Sequence, residues 1–165
     1  MKPGDHPEFF KRPPPDGRSR ESTIRLDADG RFWHEGALVT HRGMQHAFAS
    51  WIGRHPNDGR YILNNGYDWT YFTVDDVPYF VRTIHIDPGA VRLSLSDGTE
   101  ELLDPTTVCV GERGAVYVRV KGGRFEARFS PEAQTKLEPL IVEDGDSRLA
   151  LEVGAARYAV GERAA

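Results

Sequence analysis

Between residues 116 and 129 the sequence alternates so strictly that few local structures satisfy it. Val116, Val118 and Val120 interleave with Tyr117, Arg119 and Lys121; after Gly122-Gly123, Phe125, Ala127 and Phe129 interleave with Arg124, Glu126 and Arg128. A period of two puts the apolar set on one face of a strand, and two glycines supply the positive φ of a two-residue hairpin loop. Ser130-Pro131-Glu132 then opens a helix. Serine is the N-cap, proline loses nothing at the first helical position, and glutamate meets the positive end of the helix dipole. Pro139 stops that helix early. The apolar hairpin face requires a covering layer, so the unit belongs to a packed α+β structure.

The remaining sequence supplies more of the same. Ile24-Arg25-Leu26 and Arg31-Phe32-Trp33 flank Asp27-Ala28-Asp29-Gly30, a turn of hairpin length, and Glu35-Gly36 turns again into Ala37-Leu38-Val39. Thr40 is placed to cap a helix in which Met44, Ala47, Phe48, Trp51 and Ile52 recur at helical steps, closed by His55-Pro56-Asn57-Asp58-Gly59. Tyr61-Ile62-Leu63 begins a strand. From Tyr67 the period is two, with Phe72 and Val74 on one face and Tyr67, Trp69 and Tyr71 on the other. Phe80 to Ile86 and Val91 to Leu95 are strands, Asp97-Gly98 turns into a short partner ending at Leu103, and Leu149 to Val160 forms a last hairpin around Gly154. Gly30-Arg31-Phe32 and Gly123-Arg124-Phe125 each precede a capped helix, an echo that either a duplication or the common recurrence of hairpin-to-helix units produces. The expected architecture is α+β, with two small strand-rich lobes that each carry a hairpin and one helix. Residues 1–22 are expected as a disordered tail, 23–76 as an N-terminal α+β lobe and 77–165 as a C-terminal strand-rich lobe.

Composition excludes several classes. One cysteine in 165 residues excludes a disulfide framework or a cysteine-rich zinc site. A formal net charge of −4 argues against nucleic-acid binding, whose footprint is basic. No apolar run approaches a membrane span, and prolines at 3, 7, 13, 14 and 15 leave no signal-peptide core, so the expected location is the cytoplasm. Lys11-Arg12-Pro13-Pro14-Pro15 reads as an extended, solvated segment.

Candidate chemistry is sparse. His41 and His46 are five apart and point about 140° apart on a helix, so they do not share a face, and His41 reads as a boundary or packed residue. No metal site or cofactor is expected. Cys109 lies in an apolar β-branched strand and reads as a small buried hydrophobe. Asp75-Asp76 reads as a turn with side-chain-to-backbone bonds. Two features stand out. Tyr67, Trp69 and Tyr71 form an aromatic row that either packs under the other lobe or lines a pocket. Arg119, Lys121, Arg124 and Arg128 surround one glutamate on the outer hairpin face, a positive patch on an acidic chain.

Asp29-Gly30-Arg31-Phe32-Trp33-His34-Glu35-Gly36 resembles the opening of the bacterial domain-of-unknown-function family 1285. Tyr61-Ile62-Leu63, Val74-Asp75-Asp76-Val77-Pro78-Tyr79, Tyr117 to Gly123 and Glu126-Ala127-Arg128 are similar to its later segments, over residues 23–138. Where that family has Thr-Pro-x-Glu, this chain has Asn65-Gly66-Tyr67-Asp68, with Asp68 in the glutamate place. The resemblance implies a duplicated architecture, a C-terminal half like a pleckstrin-homology barrel, a ligand site between the halves and a signalling role. The expected function is a non-catalytic module binding a small ligand or protein partner through Tyr67, Asp68, Trp69, Tyr71, Asp75, Arg119 and Lys121. The alternative is a small hydrolase or transferase drawing on Asp68, Asp75, His34 or Cys109.

Overall fold

A computed structural model describes residues 2–164; Met1 and Ala165, the outer ends of the expected tail and second lobe, lie outside it. The chain divides into two compact units, Met1–Asp76 and Val77–Ala165. It is α+β and strand-rich, with two α-helices among the described residues.

In the first unit β1 (Arg25–Leu26) and β2 (Phe32–His34) pair antiparallel, and β3 (Ala37–Leu38) returns on β2 through Glu35 and Gly36. Both turn residues have positive φ, 52° and 77°, the backbone that matches the twist of a tight hairpin. Helix α1 (Arg42–Ser50) is capped by His41 in place of Thr40, with His41 Nδ1 accepting from the Met44 N–H at 3.2 Å. His41 is therefore an exposed cap and not a packed residue. The helix stops before Ile52, which fits the helical period but is drawn into β4 (Ile52–Arg54) by pairing with Leu63. β4, β5 (Tyr61–Asn64) and β6 (Trp69–Tyr71) form an antiparallel meander, and β7 (Thr73–Val74) runs parallel to β1.

Ile62 and Leu63 are consecutive in β5 and both buried, so both faces of the meander are covered. The Ile62 face is covered by the N-terminal segment. Residues expected as a disordered tail instead form 3₁₀ turns at Pro3–Asp5 and Phe9–Lys11, and Phe9 is 1% exposed against Ile62 and Trp69. The physical reason is the Phe9-Phe10 pair. Burying one such side chain is worth about 1.5–3 kcal/mol, enough to order a short polar stretch around it.

In the second unit β8 (Tyr79–Asp87), β9 (Ala90–Leu95), β10 (Glu100–Leu102), β11 (Cys109–Val110), β12 (Val116–Val120), β13 (Phe125–Phe129), β14 (Ile141–Glu143), β15 (Leu149–Val153) and β16 (Ala156–Glu162) form one sheet. Its order is β10-β9-β8-β13-β12-β11-β16-β15-β14. β13 runs parallel to β8, and β11 runs parallel to β16. The order leaves β10 and β14 as free ends, so the expected pleckstrin-homology-like barrel does not close among the described residues. Helix α2 (Pro131–Leu137) packs on β8 and β13, burying Ala133 and Leu137 completely, and Ser130 Oγ accepts from the Ala133 N–H at 3.1 Å as its cap.

Candidate functional site

The turn between β5 and β6 is built by its own side chains. Asn64 Oδ1 accepts from the Gly66 N–H, and Asn65 Oδ1 from the Tyr67 and Asp68 N–H groups, each at 2.8 Å. Gly66 sits at φ 89°, which a side chain would strain. This turn sets Asn65 and Asp68 at one end of a cavity of about 180 Å³. Ile24, Phe48, Trp51 and Leu63 form its apolar wall, and Asn65, Asp68 and Thr70 its polar end, beside Trp69. A dry cavity of roughly 150 Å³ holds a benzene, so this one suits a group of about one ring.

Asp68 is the one formally charged residue of that lining. Burial pushes its carboxyl up, but Arg20, which pairs with Oδ1, and the Trp69 N–H, which donates to Oδ1 at 2.9 Å, together hold it below its ordinary value. It is an anion at neutral pH, and Oδ2 receives no protein donor among the described residues. The Asn65 side-chain N–H₂ likewise has no protein acceptor among them.

The predicted residues do not converge beyond Asp68 and Trp69. Tyr67 leaves the aromatic row: it lies in the turn, 64% exposed, with Lys2 Nζ 5.9 Å from its ring. Trp69 and Tyr71 do share a face, edge-on at 5.0 Å, and the N-terminal segment and His55 cover it. Tyr71 donates its hydroxyl to Asp58 at 2.6 Å, a bond that raises the tyrosine pKa and lowers that of Asp58. Arg60 lies 3.7 Å over the Tyr71 ring and is bidentate to Glu21 at 2.7 and 2.8 Å. Asp75 pairs with Arg25.

The basic hairpin patch loses its lysine. Val120 pairs with Phe125, so Lys121 to Arg124 form a four-residue turn, and Lys121 and Arg124 do not face each other across strands. Lys121 takes φ 57° and turns inward, with Nζ 2.6 Å from Asp97 Oδ2 and 2.8 Å from Thr99 Oγ1. Arg119 donates twice to the Gly123 carbonyl, at 3.1 and 2.8 Å. Tyr117, expected on the outer face, is buried under the Arg163 guanidinium at 3.9 Å, which also binds Glu126 at 2.7 Å. Burial pushes the Cys109 thiol up, with Glu126 adding to the shift.

Sequence reasoning missed Trp51, Phe48 and Leu63 as site residues because helical and strand periods assign them to the core. The available signal was the Asn64-Asn65-Gly66 run, which presents side-chain amides at a turn immediately before the aromatic row.

The chain is thus a two-unit α+β protein with the candidate cleft in the first unit. Its fold is that of solved proteins of the DUF1285 family, the family that the sequence resembles. A DUF1285 protein from Silicibacter pomeroyi DSS-3 matches at 17% identity over 94% of this chain and 86% of that one, with a TM-score of 0.69. One from Shewanella baltica OS155 matches at 20% identity over 68% of this chain and 87% of that one, with a TM-score of 0.55. No family model matches the sequence, and no curated protein matches it.

Proposed function

We propose that the first unit is a non-catalytic binding module that takes a small ligand bearing one apolar ring and a hydroxyl or amine donor into the Trp51 cleft. The observation that carries this reading is a ring-sized apolar wall ending at a carboxylate with an unused oxygen. A few convergent polar groups on an apolar cavity are the usual form of a small-molecule site. The electrostatics favour binding over proton transfer. A general base works best with a pKa near the operating pH, whereas Arg20 holds Asp68 lower than an ordinary carboxylate. The hydrolase or transferase alternative requires a nucleophile or titrating partner beside Asp68, and the residues lining the cleft include no histidine or cysteine. A ligand-responsive module also fits the signalling role that the family resemblance implies.

The test is a panel of phenol, benzyl alcohol, benzylamine and cyclohexanol followed by tryptophan fluorescence and NMR shift mapping. Binding should perturb Leu63 and Thr70 signals, and Trp51→Ala should weaken it about tenfold, the worth of a lost aromatic contact. If no compound binds, or if Trp51→Ala and Asp68→Ala both leave binding unchanged, the cleft is not the site.

A further inference from the structure

The opposite face of the β4–β6 meander, which shares Trp69 and Arg20 with the cleft, carries a second inference. We propose that His55, Ile62, Trp69 and Tyr71 form a peptide-docking groove that reads two adjacent aromatic side chains, and that residues 2–12 are its resident, displaceable occupant. The partner it fits is a protein segment presenting an aromatic pair beside a carbonyl or carboxylate acceptor.

The resident segment sits as a docked peptide sits. Phe9 is buried against Ile62 and Trp69, while Phe10 meets His55 edge-on at 5.4 Å and Trp69 at 5.9 Å. Its backbone adds no strand ladder. Gly4 N–H donates to the Gly66 carbonyl at 2.8 Å, and the other backbone bonds, from Asp5, His6, Phe9, Lys11 and Arg12, close turns within the segment. One residue latches it: Arg20 Nη2 donates to the Arg12 and Pro13 carbonyls at 3.2 and 3.1 Å, while Nη1 donates to Trp69 O at 2.7 Å. Residues 13–17, three prolines followed by Asp16 and Gly17, join segment and latch as a mostly exposed tether.

A second observation points to a different occupant. The Trp69 indole N–H is buried with no hydrogen-bond partner among the described residues, as is Nε of Arg20, whose guanidinium lies over the same ring. A buried donor left unpaired is penalised, so a segment that brings an acceptor to Trp69 Nε1 outcompetes one that does not. The resident segment holds its place through its tether, which keeps it at millimolar effective concentration.

The experiment uses the full chain and the synthetic peptide Lys-Pro-Gly-Asp-His-Pro-Glu-Phe-Phe-Lys-Arg, the sequence of residues 2–12. In the wild-type chain the amides of Gly4, Phe9 and Lys11 should exchange with deuterium by a local opening that leaves the β5 amides protected. A Phe9→Ser/Phe10→Ser chain should stay folded and take up the peptide in trans, moving the Trp69 indole resonance. The wild-type chain should bind the same peptide about a hundredfold more weakly, because its own segment competes. Three results overturn the proposal: loss of β5 protection in the double variant, which makes the segment indispensable core; no uptake of the peptide by a folded variant; or equal uptake of a peptide with both phenylalanines replaced by serine.

Discussion

Removing the Asp27 carboxylate tests how the first hairpin is held. Asp27 is buried, and its two oxygens accept four donors: the Asp29 and Arg31 N–H groups at 2.9 Å each, Arg31 Nε at 3.0 Å and Trp33 Nε1 at 2.8 Å. Asp27→Ala deletes all four bonds and leaves two backbone donors, Arg31 Nε and an indole N–H without this acceptor. Each unsatisfied group costs about 1–3 kcal/mol when fully buried, and the half-exposed Arg31 and Asp29 donors recover water, so the total should be about 3 kcal/mol. Asp27→Asn should cost about 2 kcal/mol, since the amide N–H₂ takes the place either of Oδ2, facing Trp33 Nε1 and Arg31 Nε, or of Oδ1, facing the Asp29 and Arg31 N–H groups, donor against donor both ways. The assay is urea unfolding followed by tryptophan fluorescence, because Trp33, Trp51 and Trp69 all lie in the first unit and the signal reports that unit alone. Burial pushes the Asp27 carboxyl up, but the Trp33 and Arg31 donors outweigh it and hold the pKa below its ordinary value of 3.8. Its contribution is therefore complete above that ordinary value and is lost as pH falls through the lower folded value. The Ala variant should show a flatter acid limb than wild type between about pH 5 and 2. A loss under 1 kcal/mol with an unchanged acid limb would refute the reasoning, since the carboxylate would then be ornamental to the turn.

Two further outcomes follow from the second unit. Lys121→Met strands the buried Asp97 carboxylate, which Lys121 and Thr99 hold below its ordinary pKa against burial, and should cost about 3 kcal/mol. Adding Asp97→Asn should recover more than half of that loss in a chemical-denaturation double-mutant cycle; strict additivity would show that the pair is not coupled. Cys109, whose thiol burial pushes up, should react with a disulfide reagent at pH 7 far more slowly in the folded chain than in urea, and equal rates would show an open, activated thiol.

The strand-rich half of the fold was legible because its signals are local. The Val116–Phe129 alternation, the Ser130 cap and the Asp27–Gly30 and Asp97-Gly98 turns each specify backbone within a few residues, and the structure places pairings where those patterns require. Positions failed where tertiary pairing competed with a local period, as with Ile52. The same holds for side-chain direction at Lys121: a strand register predicts an outward cation, whereas left-handed backbone at the turn swings the ammonium inward to an aspartate 24 positions earlier.

The N-terminal segment shows where such reading runs out. Its prolines and charges describe a solvated chain, and each residue taken alone fits that description. What orders it is two phenylalanines meeting a surface assembled from residues 55 to 71, a long-range event that no window of sequence contains. The aromatic row calls for a cover or a pocket over Trp69 and Tyr71, because that much apolar area is costly to leave in water. The row and the Phe9-Phe10 pair are each unexplained alone and answer one another in the fold. Matching orphan apolar features across a chain therefore locates a contact that periodicity misses, and here it converts a supposed tail into the cover of the groove.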